Sequence, residues 1–119
     1  MSRRLERVNR LLKEEISLIV STELTDPRLM TLRTITRVES SADLSNAKVY
    51  VSAIGKDSNK NDMIVALNSA SGIIRKKLYQ LKLKKIPSIY FLLDESLTRG
   101  DEVIKILDDI GLNPSEGSL

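Results

Sequence analysis

Met63, Leu67, Ala70 and Ile74 recur at i, i+4, i+7 and i+11, the spacing of one helical face, and that stripe runs straight through Ala70-Ser71-Gly72. Glycine inside a helix costs about 1 kcal/mol relative to alanine. The Ser71 hydroxyl competes for backbone hydrogen bonds. The stripe asks the helix to continue; the residues on it predict a bend. Any fold for this chain must therefore bury one helical face on both sides of a kink. With 119 residues, no cysteine and no histidine, it must do so in one domain, without disulfides or zinc-type ligand sets.

Other elements arrange themselves around that helix. Leu5, Val8, Leu12, Ile16 and Ile19 form the apolar stripe of a first helix over Arg3 to Glu23, ended by Asp26-Pro27. Residues 31–40 are rich in Thr, Ile and Val and read as a strand, with an imperfect alternation: Leu32 and Val38 share a face and Ile35 points the other way. Ser41 to Asn46 is turn material, and Ala47 to Ile54 alternates cleanly, so the pair reads as an antiparallel hairpin. The kinked helix is expected from about Asn61, with Ser58 or Asn59 as cap. It runs to the closing Lys84-Lys85-Ile86-Pro87. Ser88 to Leu93 is apolar on both faces, which predicts a central or helix-covered strand. A short amphipathic helix over Asp101 to Ile110 follows, and 113–119 is expected to be a disordered tail after a single domain over 1–112. The fold class is α+β: α-β-β-α-kink-α-β, a three-stranded sheet with helices on one face.

Charge is distributed unevenly. No acid occurs between Asp62 and Asp94, a stretch holding Arg75, Lys76, Lys77, Lys82, Lys84 and Lys85. Residues 1–93 carry seventeen cations against nine acids; residues 94–119 carry two cations against seven acids. Arg3, Arg4, Arg7 and Arg10 crowd the start of the first helix, where cations oppose the helix dipole, a cost that an anionic partner would offset. A basic body of this kind suggests phosphate. The competing reading is an ordinary solvated face.

Catalysis finds no footing. The chain has no P-loop, no G-x-G-x-x-G and no nucleophile with a base, and Asp26, Asp43 and Asp94 stand at element ends, where turn and capping roles suffice. No cofactor, metal or enzyme activity is expected. Nor is a membrane span or a signal peptide, and the expected setting is a cytoplasmic monomer. Gly72, by contrast, lets a partner approach the backbone near a second helix N-terminus, and Arg75 adds bidentate phosphate geometry. Gly72 could equally serve close packing of helix on sheet. Three tyrosines and one phenylalanine argue against an aromatic stacking platform.

The order α-β-β-α-α-β resembles a type II KH domain in which the G-x-x-G loop is replaced by Ala70-Ser71-Gly72. That A-x-G kink resembles the bacterial ribosome-binding factor A family. So do Asp26-Pro27-Arg28, the hairpin Ala42-Asp43-Leu44-Ser45-Asn46-Ala47-Lys48-Val49-Tyr50-Val51-Ser52, and Ile86-Pro87 leading to Asp94-Glu95-Ser96. The resemblance spans about residues 3–110. It implies a non-enzymatic ribosome biogenesis factor that binds the free or immature 30S subunit and 16S rRNA near the decoding region and helix 1. It implies support for late maturation, for processing of the 16S precursor's 5′ end and for growth in the cold. A ribosome-assembly GTPase would assist its release. The implied RNA-binding residues are Ala70, Ser71 and Gly72, with Arg75, Lys76, Lys77, Lys82, Lys84 and Lys85. Arg3, Arg4, Arg7 and Arg10 join them on charge alone. The alternatives are an adaptor acting through its acidic C-terminal helix, a generic single-stranded RNA-binding KH-like protein, and a DNA-binding helix-turn-helix, against which the unbroken stripe argues.

Overall fold

The computed structural model describes residues 3–80 and 85–95. The expected C-terminal helix, the tail, Lys82 and Lys84 lie outside the described residues. Helix α1 spans Arg3–Glu23 and buries Leu12, Ile16, Ile19 and Val20. A 3-10 turn over Pro27–Thr31 follows, then strands β1 (Leu32–Ser40) and β2 (Asn46–Ala53), helices α2 (Asp57–Ser69) and α3 (Ser71–Leu78), and strand β3 (Ser88–Leu93). The sheet order is β1-β2-β3, with β1 and β2 antiparallel and β2 and β3 parallel. A parallel neighbour cannot be reached by a tight turn, so α2 and α3 supply the crossover. The described helices pack on the sheet face that carries Ile35, Val38, Val49, Val51, Ile89 and Phe91. This is the expected α+β, KH-like arrangement, with a mixed sheet.

The imperfect alternation of β1 has a physical cause. Register shifts fall between Leu32 and Thr34 and between Ile35 and Arg37. Each bulge inserts one residue, so side chains three apart recover the same face. Ile35 and Val38 are therefore both buried, opposite Val51 and Val49. The face reversal expected for Ile35 does not occur.

Three further expectations change. Helix α2 begins at Asp57, four residues before Asn61, and its N-cap Lys56 makes no side-chain cap. Asp57 in the first turn instead favours the helix dipole. Helix α3 ends at Leu78 with Tyr79 as its C-cap, well short of Lys84. Strand β3 is an edge strand, not a central one, and the helices cover only its Ile89 and Phe91 face: on the other face Tyr90 is 53% exposed and Leu92 38%. At Phe91 its outer edge is occupied by a side chain. Asn68 Nδ2 donates to the Phe91 carbonyl at 3.3 Å, and the Phe91 N–H donates to Asn68 Oδ1 at 2.8 Å. One amide thus supplies the two bonds that a further strand would make.

Candidate nucleic-acid interface

A single residue separates the two halves of the kinked helix. Ala70, at φ −90 and ψ 1, caps both the end of α2 and the start of α3. Its N–H still bonds Ala66 and Leu67, and its carbonyl accepts from Ile74. The buried stripe continues across the break through Met63, Leu67, Ile74 and Leu78. No side chain caps the first turn of α3. A helix start ordinarily leaves its leading N–H groups without a partner inside the helix.

Gly72 lies in that turn. It is exposed, and a Cβ built on it meets nothing within 4 Å. Its φ is not in the left-handed region. The packing role considered for Gly72 is thus overturned: neither close helix–sheet contact nor backbone geometry calls for glycine here. Ala70 and Ile73 line a groove of about 330 Å³ with Ala66 and Ser69 on one side and Glu23, Leu24, Asp26 and Leu29 on the other.

The cations after the kink diverge. Arg75 turns to the segment entering β3: its Nε donates to the Pro87 carbonyl at 3.1 Å and its Nη2 to the Ile86 carbonyl at 3.0 Å. Lys77 reaches Glu23 at the end of α1, 3.5 Å away in an exposed pair worth little in stability. Lys76 is exposed and has no ion pair or hydrogen bond among the described residues. Consecutive helical residues point about 100° apart, so the three cannot form one patch.

A second basic group sits elsewhere. Arg4, Leu5 and Val8 of α1 line a cleft of about 540 Å³ with Ala42, Asp43 and Leu44 of the hairpin turn and with Lys85. Lys85 Nζ donates to the Asp43 carbonyl at 3.2 Å. Arg3, Arg7 and Arg10 are exposed on the same helix end. Leu44 holds φ 57, left-handed for a non-glycine residue. The cleft end and the kink end are joined by α1, and from Leu5 to Glu23 the helix rises about 27 Å. The structure therefore brings Arg4 and Lys85 together and keeps them apart from Ala70, Ser71 and Gly72.

The carboxylates at element ends hold turns. Asp26 accepts from the Arg28 N–H at 2.9 Å and pairs with its guanidinium at 2.7 Å, which lowers the Asp26 pKa. Asp43 accepts from the Ser45 and Ser41 hydroxyls and the Ser45 N–H, and with Lys85 nearby its pKa falls to about 2. Asp94 is buried and accepts from the Thr36 hydroxyl across β2. Among the described residues no group of His, Cys, Asp or Glu could hold a metal ion.

Sequence reasoning missed Asn68, whose role depends on a strand edge far away in the chain. It also missed the sheet face on which no described element packs, the open face among the described residues. Arg37 stacks on the Tyr50 ring, 4.0 Å from the centroid, with Tyr90 on the neighbouring strand. The alternation of β2 and β3 carried that signal.

The described architecture has known counterparts. The family model for ribosome-binding factor A matches residues 4–107. A ribosome-binding factor A from Dictyoglomus thermophilum is 39% identical over 119 residues, covering 99% of each chain. The crystal structure of ribosome-binding factor A from Thermus thermophilus superposes with a TM-score of 0.69 at 26% identity, over 77% of this chain and 97% of that one. A Thermus thermophilus homology model of the same factor, fitted into a cryo-EM map of its 30S complex, gives 0.55 at 27% identity, over 81% of this chain and 97% of that one.

Proposed function

The chain belongs to the ribosome-binding factor A family, and we propose that it is a non-enzymatic assembly factor that binds the free or immature 30S subunit through 16S rRNA. The observation that carries the reading is Gly72. It is exposed, unstrained and unneeded for packing, at the uncapped start of α3. What glycine supplies there is access: a phosphate can approach the backbone N–H groups without meeting a side chain. Lys76 adds Coulomb attraction a turn later. Arg4 and Lys85, with Arg3, Arg7 and Arg10 near them, offer a second phosphate contact at the far end of α1. Two anchors separated by about the length of α1 suit a folded RNA surface better than a single nucleotide, because each fixes register without reading sequence.

The Thermus thermophilus factor fitted into a 30S complex supports the subunit as partner. On this reading the chain acts in the cytoplasm during late 30S maturation and supports processing of the 16S precursor's 5′ end. It leaves with the help of a ribosome-assembly GTPase. Sucrose-gradient sedimentation of a cell lysate tests this. The chain should co-migrate with free 30S particles and be absent from 70S ribosomes; equal presence in both, or in neither, contradicts the proposal.

A further inference from the structure

We propose that the open face of the sheet is a second RNA-contacting surface, which takes up unstacked bases of single-stranded RNA on Arg37, Tyr50 and Tyr90. The inference rests on the RNA-binding reading above but uses residues that reading does not.

The sheet has two unlike faces. One carries the core. The other carries Lys48, Tyr50, Tyr90 and Leu92, because alternation turns them away from Val49, Val51, Ile89 and Phe91. The second bulge in β1 swings Arg37 onto this face, opposite Tyr50. The guanidinium lies over the Tyr50 ring at 4.0 Å, and the Arg37 side chain remains 49% exposed. Its Glu39 partner, 3.5 Å away, is also exposed, and such a pair holds the side chain only weakly. Tyr90 pairs in register with Lys48, and Leu92 with Tyr50. Tyr50 and Tyr90 are therefore diagonal neighbours, about 8 Å apart from strand spacing and rise.

That arrangement fits nucleobases. Flat surfaces stack on flat partners, and an Arg plane backed by a ring serves as well as a ring alone. Exposed aromatics on an open sheet take up two or three bases in other RNA-binding folds. Lys48 beside Tyr90 supplies a cation for the connecting phosphate. A protein partner would call for continuous aliphatic area, whereas the centre of this face pairs the cations Arg37 and Lys48 with two rings. The scarcity of aromatics in the sequence is thus offset by their placement: two of three tyrosines share one face.

The chain contains three tyrosines and no tryptophan, so its emission is tyrosine emission. In a full-length Tyr79→Leu chain, the signal comes from Tyr50 and Tyr90 alone. Titration with a short single-stranded oligoadenylate should quench it saturably, and long-chain polyphosphate should not. In the same background, Tyr90→Ala and Arg37→Ala should each weaken oligonucleotide affinity by roughly 5- to 100-fold. Their circular-dichroism spectra should be unchanged. Binding without quenching, or with affinity unchanged in both variants, overturns the proposal. If a photo-crosslinking residue at position 90 attaches to a ribosomal protein instead of rRNA, it falls as well. In any of these cases intact sedimentation with 30S particles leaves the assembly-factor reading standing; loss of that sedimentation in the unsubstituted chain would remove the assembly-factor reading itself.

Discussion

Arg75 holds Pro87: its Nε donates to the Pro87 carbonyl at 3.1 Å while Nη2 donates to the neighbouring Ile86 carbonyl at 3.0 Å. The most suggestive phosphate ligand after the kink thus ties α3 to the segment that enters β3. Arg75→Ala removes two charge-assisted bonds and leaves two carbonyls to find water. Urea unfolding should show a loss of about 1.5–3 kcal/mol. Lys76→Glu, on an exposed residue, should stay within about 0.5 kcal/mol of the parent. A stability loss at Lys76 as large as at Arg75 would contradict this division of labour.

Gly72 separates stability from binding. Its backbone tolerates a Cβ and there is space for one. Gly72→Ala should therefore stabilise the fold by about 0.4–1 kcal/mol, mainly by restricting the unfolded chain. The added methyl sits where the proposed phosphate approaches, so affinity for 30S subunits in a pelleting assay should fall. Destabilisation would mean that the helix needs glycine. Stabilisation with unchanged affinity would move the contact away from the kink.

Asp43 sets an acid sensitivity. Its pKa is lowered from the ordinary 3.8 to about 2 by the Ser45 and Ser41 hydrogen bonds, then by the Ser45 N–H and Lys85. Between those values the unfolded chain binds more protons than the folded one. The stability Asp43 contributes is complete above about pH 4 and is lost as pH falls toward 2. Asp26, also lowered, acts in the same direction. Asp43→Asn should flatten the acid limb of a melting-temperature profile between pH 4 and 2. An unchanged profile would show that the turn does not favour the ionised carboxylate.

How much was readable depended on whether the signal was local. The bounds of α1 follow from its stripe and from Asp26-Pro27, and the kink follows from a conflict visible in four residues. The end of α3 did not, because Leu81 prolongs the apolar spacing beyond Leu78, where the helix stops. The bulges at β1 leave a local mark, the three-residue spacing of Leu32, Ile35 and Val38, but what it means shows only in the register against β2. Strand β3 reads as covered on both faces because Tyr90 and Leu92 are apolar, yet its place at the edge is set by the crossover through α2 and α3. For the site, the kink and the charge bias were legible. The separation of Lys85 from Gly72, and its meeting with Arg4, were not, since they depend on how α1 lies across the sheet.

The central claim is a phosphate interface with two anchors, and the salt dependence of binding to purified 30S subunits tests it most directly. Log affinity should fall linearly with log salt by about 0.7–0.9 per phosphate contacted. Lys76→Glu and Arg4→Glu should each reduce that slope by about one contact, and the double variant by about two. A flat response in the parent chain, or a slope that neither substitution changes, would contradict it.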